Sequence, residues 1–134
     1  QDGSAKLYVL RKASSSSLYP PNQKLMAAYI PGGYGDLVKT IDISVSRLST
    51  VLDNAGRPTP NLVKLDVQGA ELDVLHGLKD AHWNNLLAIQ TEVEFVDQYI
   101  NQALFWDVDR YIRERGYIMF DVLVNLSGLI IFIF

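Results

Sequence analysis

The sequence predicts an α/β fold: a mainly parallel sheet with helices in the crossovers, ending in a C-terminal antiparallel hairpin. Three observations predict it. Short apolar segments at residues 62–67, 86–93 and 117–124 have the composition of strands. Segments with helical spacing lie between them, and strands joined through helices run parallel. The last two apolar segments, 117–124 and 129–134, are separated only by residues 125–128, which permits an antiparallel return and nothing else.

Composition sets outer limits. The chain has 134 residues, room for one small domain, and 49% hydrophobic with 20% charged residues is the balance of a folded globular protein. A net charge of −3 supplies no broad basic surface, so no nucleic-acid partner is expected. Without cysteine there can be no disulfide, thiolate zinc site or cysteine nucleophile, and with His76 and His82 as the only histidines a histidine-rich metal site is not expected. The most apolar segment, 129–134, is too short to span a bilayer. No signal peptide is visible, and a cytoplasmic location is the expectation. The start at Gln1 with an Asp2-Gly3 turn reads as a partial chain.

The elements follow in order. Residues 6–11 and 37–44 alternate and read as strands. Residues 13–23 form a polar loop punctuated by Pro20-Pro21, and residues 31–35 (PGGYG) a second loop that no regular element tolerates. Ser46 can cap a short helix with Leu48, Val51 and Leu52 on its apolar face and Gly56 as its stop. The strand at 62–67 runs into a Gly69 turn and a short helix over 70–76 that buries Leu72 and Leu75. His76 and His82 are both read as surface residues, the second in a polar loop. The strand at 86–93 follows. Residues 104–115 make the clearest helix, with Leu104, Val108 and Ile112 at i, i+4, i+8. Phe105 and Trp106 are expected to pack.

Three segments carry a family resemblance. Residues 63–77 read VKLDVQGAELDVLHG, residues 94–122 EFVDQYINQALFWDVDRYIRERGYIMFDV, and residues 14–22 SSSSLYPPN. Together, and in this order, they resemble the FkbM family of S-adenosylmethionine-dependent methyltransferases. The resemblance implies part of a class I, Rossmann-like sheet whose last strand is antiparallel and lies beside the fifth. Residues 62–67 would be its fourth strand, 86–93 its fifth, and the final pair its sixth and seventh. The family's glycine-rich cofactor loop and the acidic residue after its second strand have no counterpart here. Residues 31–35 do not follow a strand and open onto a helix, as a cofactor loop must. The expectation is therefore a single partial methyltransferase domain over residues 1–134, lacking its N-terminal cofactor-binding strands and inactive alone.

Methyl transfer to oxygen needs two reactants held in line, a proton acceptor, and a dry pocket at the carboxyl ends of parallel strands. Asp66 and Glu92 end neighbouring predicted strands and are the candidate catalytic carboxylates. Glu92 is the candidate base, and Asp66 orients the cofactor or the acceptor hydroxyl. Alternatively Asp66 caps the turn and Glu92 is solvated. A divalent cation on the pair would have few ligands, so no metal is expected. Asp66, Gln68 and Gly69 are candidate cofactor contacts, Gly69 through a positive backbone angle or a close approach. Glu71, Tyr19 and Tyr99 are candidate substrate contacts. For Glu71 the alternative is a helix-dipole acid, and for the tyrosines packing.

The function so implied is S-adenosylmethionine-dependent O-methylation of a sugar, glycan or secondary metabolite. The alternative is a non-catalytic binding or assembly module derived from a truncated methyltransferase. A bare apolar edge at 62–67 would invite pairing with another copy, unless the strands at 6–11 and 37–44 fold over it.

Overall fold

The computed structural model describes residues 2–56, 60–123 and 129–133. Two small sheets are present. Strands β1 (Gly3–Leu10) and β2 (Leu37–Val45) pair antiparallel with each other. Strands β3 (Leu62–Leu65), β4 (Ala88–Glu92), β5 (Ile118–Leu123) and β6 (Leu129–Ile133) form the second sheet, in the order β3-β4-β6-β5. Helices α1 (Gln23–Tyr29), α2 (Leu48–Asn54), α3 (Glu71–His76), α4 (Asp80–Trp83) and α5 (Phe105–Arg113), with two single 3-10 turns at Ala13–Ser15 and Pro31–Gly33 where only loop was expected, complete the described elements.

The α/β class and the C-terminal antiparallel pair are as expected, and the last strand does lie beside β4. In the four-stranded sheet β3, β4 and β5 run in one direction and β6 runs against them; among the described residues β3 and β4 are the pair that bonds in parallel, and β6 bonds antiparallel to both of its neighbours. The expected turn at 125–128, with Val124 and Phe134, lies outside the described residues.

One face of the four-stranded sheet is covered by helices. Leu75 of α3 and Val108 and Ile112 of α5 meet Val63, Leu65 and Ile89 of the sheet in one core cluster. Leu75, Ile89 and Ile112 are fully buried, and burying such side chains stabilises by roughly 1.5–3 kcal/mol each. The i, i+4 stripe of α5 places Val108 and Ile112 there, whereas Trp106, expected to pack, points off the stripe and is half exposed. Tyr117 donates its hydroxyl to the carbonyl of Leu86 at 2.6 Å, tying the start of β5 to the approach to β4.

Several local expectations are revised. β3 stops at Leu65 rather than at 67, because the N–H of Val67 turns to the Glu71 carboxylate instead of a neighbouring strand. Helix α2 is not capped by Ser46. Its N-cap is Arg47, with no side-chain cap bond; Asp2, just before β1, braces the helix start, accepting from the N–H of Arg47 at 2.9 Å and from the Thr50 hydroxyl at 3.1 Å. His82 is not a surface loop residue. It sits in α4 at 7% exposure, accepts the N–H of Lys79 on Nδ1, and faces Asp53 with Nε2 at 3.7 Å. β1 and β2 do not fold over the outer edge of β3; their ladder bonds go to each other.

Helix α1 was not expected. Asn22 caps it, its side-chain oxygen accepting from the N–H of Leu25 at 3.2 Å. Met26 on its inner face joins Leu10 and Tyr99 in a second buried cluster, with Tyr19 and Ile30 against it. That cluster seats α1 beside the carboxyl ends of β3 and β4.

Candidate active site

The site is built where β3 and β4 end. In the parallel register Leu65 lies opposite Thr91, so the next residues, Asp66 and Glu92, stand side by side just past that pair, Glu92 still in register with β6. The chain after Asp66 then reverses sharply. Gln68 has φ +56° and Gly69 has φ +94°. A Cβ on Gly69 would stand 3.1 Å from the Tyr99 ring and 3.3 Å from Gln102, so this position requires glycine both for its backbone angle and for the close approach.

Below the turn, Glu71 is 5% exposed and accepts the N–H of Val67 at 2.8 Å. Burial pushes its carboxyl above the usual range despite the backbone hydrogen bonds it accepts. Above the turn, Gln68 joins the two strand ends. Its Nε2 donates to Asp66 Oδ1 at 2.9 Å and to Glu92 Oε2 at 2.9 Å. Glu92 is 7% exposed. Burial first, then the hydrogen bonding and charge of Asp66, push its carboxyl up to about 8. Glu94 is also pushed up, chiefly by burial.

Asp66, Gln68, Glu92 and Glu94 line one side of a cavity of about 550 Å³. Leu25, Met26, Tyr29 and Ile30, from α1 and its end, line an apolar side, and Lys12, Ser14 and Ser15 contribute a third. Sequence reasoning missed this apolar wall, although Asn22 followed by Leu25, Met26 and Tyr29 is a cap followed by helical spacing.

The structure thus brings together Asp66, Gln68 and Glu92 in the cavity wall. The other expected residues stand behind it. Gly69 and Tyr99 are buried, and the Tyr99 hydroxyl reaches the carbonyl of Ser15 at 2.7 Å and Gln68 Oε1 at 3.2 Å. Tyr19 donates to Asp73 Oδ2 at 2.6 Å; burial, then that carboxylate, push its phenol up to about 12. Among the described residues no group of three or more acidic or histidine side chains is placed to hold a metal ion, and no helix is long and apolar enough to cross a membrane.

The sequence profile described as the methyltransferase FkbM domain matches residues 1–119, a span that contains every residue of this site. The chain belongs to the FkbM methyltransferase family. Among curated relatives of this FkbM domain, the 31-O-demethyl-FK506 methyltransferase FkbM of Streptomyces tacrolimicus is 31% identical over 104 residues, covering 77% of this chain and 38% of that protein. Methyltransferase 1 of Beauveria bassiana (strain ARSEF 2860) is 47% identical over 45 residues, 33% of this chain and 18% of that protein. The chain therefore spans well under half the length of either relative. No solved structure matches it.

Proposed function

We propose that this FkbM domain belongs to an S-adenosylmethionine-dependent O-methyltransferase acting on a hydroxyl of a sugar, glycan or secondary metabolite in the cytoplasm. The observation that carries the reading is the Asp66–Gln68–Glu92 bridge at the carboxyl ends of a parallel strand pair, inside an acid-lined cavity. An oxygen acceptor is supported by the name of the Streptomyces relative, which specifies an O-demethyl substrate. We read the order β3-β4-β6-β5, with β6 reversed, as the C-terminal half of a class I sheet.

The donor set suits the cofactor in part. S-adenosylmethionine, when bound, supplies an electrophilic methyl group on a cationic sulfur. Carboxylates at the cavity wall match that charge and the charge of its amino group. Residues 31–35 lie between α1 and β2, not between a strand and a helix, so the nucleoside is not assigned to them. Asp66 and Gln68 orient the sulfonium end and the acceptor, which is the proximity contribution. Glu92, once ionised, would take the acceptor's hydroxyl proton as the methyl group passes to that oxygen and its bond to sulfur breaks, with a neutral thioether as leaving group. The apolar wall of α1 keeps water from the acceptor oxygen.

The test uses the full-length protein that carries this domain, and combines calorimetric S-adenosylmethionine binding with mass spectrometry over a panel of hydroxylated acceptors. Saturable binding is expected, with an acceptor that gains the mass of one methylene. Absence of any cofactor binding sinks the reading and leaves a non-catalytic binding or assembly module.

A further inference from the structure

We propose that Tyr99 and Ser17 are positioning residues for the carboxylate pair, acting through Gln68 and not on a ligand. Gln68 holds a left-handed backbone, φ +56°, without being glycine. Such a conformation is unfavourable for a residue with a Cβ and persists only where neighbours enforce it. Two neighbours do. The hydroxyl of Ser17, 1% exposed, donates to the Gln68 carbonyl at 2.6 Å. The hydroxyl of Tyr99, 2% exposed, shares its one proton between the Ser15 carbonyl at 2.7 Å and Gln68 Oε1 at 3.2 Å. Both come from segments distant in sequence, and both are attached to the same turn.

The consequence lies in the direction of the Gln68 amide. A carboxamide has a donor end and an acceptor end. With the phenol proton shared between the Ser15 carbonyl and Oε1, the NH₂ end faces the carboxylates and can bridge Asp66 Oδ1 and Glu92 Oε2. Reversed, Oε1 would face two acids, a contact that requires one of them to hold a proton. The phenol therefore biases the amide toward the orientation that stabilises ionised Glu92. Glu71, Glu94 and Asp66 act on Glu92 in the opposite sense, and Lys12 is the cation lining the same cavity. Neither Ser17 nor Tyr99 lines the cavity, so neither needs to touch a ligand to act. The proposal depends on the methyltransferase reading only for its catalytic consequence.

The experiment is an NMR titration of the Glu92 side-chain carbonyl in the parent, Tyr99→Phe, Gln68→Leu and the double variant. Phenylalanine keeps the ring against Gly69 and removes only the hydroxyl. Tyr99→Phe and Gln68→Leu are each expected to move the Glu92 titration upward, and the double variant no further than Gln68→Leu alone. An unmoved Glu92 in Tyr99→Phe, or an equal further shift in the Gln68→Leu background, overturns the proposal. In the parent protein, nuclear Overhauser contacts from the Gln68 NH₂ protons to the Glu92 side chain are expected. Contacts to the Tyr99 ring in their place overturn it without any variant. A shifted titration in a protein that transfers no methyl group would retain the positioning network and reject the methyltransferase reading.

Discussion

The N–H of Val67 lies 2.8 Å from Glu71 Oε1, and this bond marks the point where β3 ends and the site begins. Without it, Val67 would have a donor to satisfy elsewhere and the turn would lose its underside. Glu71→Ala is expected to cost about 0.5–1.5 kcal/mol, the net contribution of one hydrogen bond whose donor water can reach, measured by urea denaturation. Glu71→Gln keeps an acceptor and removes the buried charge. Because burial raises the folded carboxyl above its unfolded value, the parent loses stability as pH rises through the folded titration. The glutamine variant should therefore gain on the parent at pH 7 and not at pH 4. Equal stability of all three proteins would remove Glu71 from the turn's support.

Gly69→Ala meets both a positive φ and a crowded neighbour. The expected cost is about 1–3 kcal/mol, larger than an ordinary surface glycine substitution. Thermal or chemical denaturation reads it. A loss below a few tenths of a kcal/mol would mean that the turn relaxes freely.

Glu92 links pH to activity and to stability in opposite directions. As a base it must be ionised, so methyl transfer is expected to rise with pH through about 8. Glu92→Gln should lower turnover by roughly 10²–10⁴-fold, the usual contribution of a general base, and should abolish that rise. In folding, the raised carboxyl contributes stability that is complete below the unfolded value and lost as pH climbs through about 8. Glu92→Gln should thus be more stable than the parent at pH 9 and not at pH 4. A flat rate profile across pH 6–9 would remove Glu92 from the base role.

Tyr19 and Asp73 hold the Ser14–Tyr19 loop against α3. The phenol should titrate near 12, later than a free tyrosine, as followed by ultraviolet absorbance. Its stability contribution is complete below pH 10 and declines as the pH rises toward 12. Tyr19→Phe should cost about 0.5–1.5 kcal/mol. Normal phenol titration in the parent would break this link.

The outer edge of β3 has no hydrogen-bonded strand among the described residues. A bare edge carrying Leu62 invites pairing. Sedimentation of this 134-residue chain is expected to show concentration-dependent association. A monodisperse monomer would contradict it.

Much of this was legible from residues alone. Period-two spacing located β1 and β2, apolar composition located β3 to β6, and period-3.6 spacing located α5, because burial leaves such patterns in any chain. The short loop between the last two strands implied their antiparallel pairing, since so few residues leave no other route. The acid–Gly–Ala–Glu run around Asp66 suggested a turn at a strand mouth. α1 and α4 escaped because each spans two turns or fewer, where spacing is a weak signal and the cap is the main clue.

Tertiary structure decided the rest. It placed Asp2 at the start of α2, buried His82, and set an apolar helix opposite three carboxylates. It also gave Tyr99 and Ser17 a shared target in Gln68, at separations of 31 and 51 positions. Local sequence encodes which residues are buried and where the chain turns. It does not encode which distant donor meets which acceptor, because that pairing exists only after the core has closed.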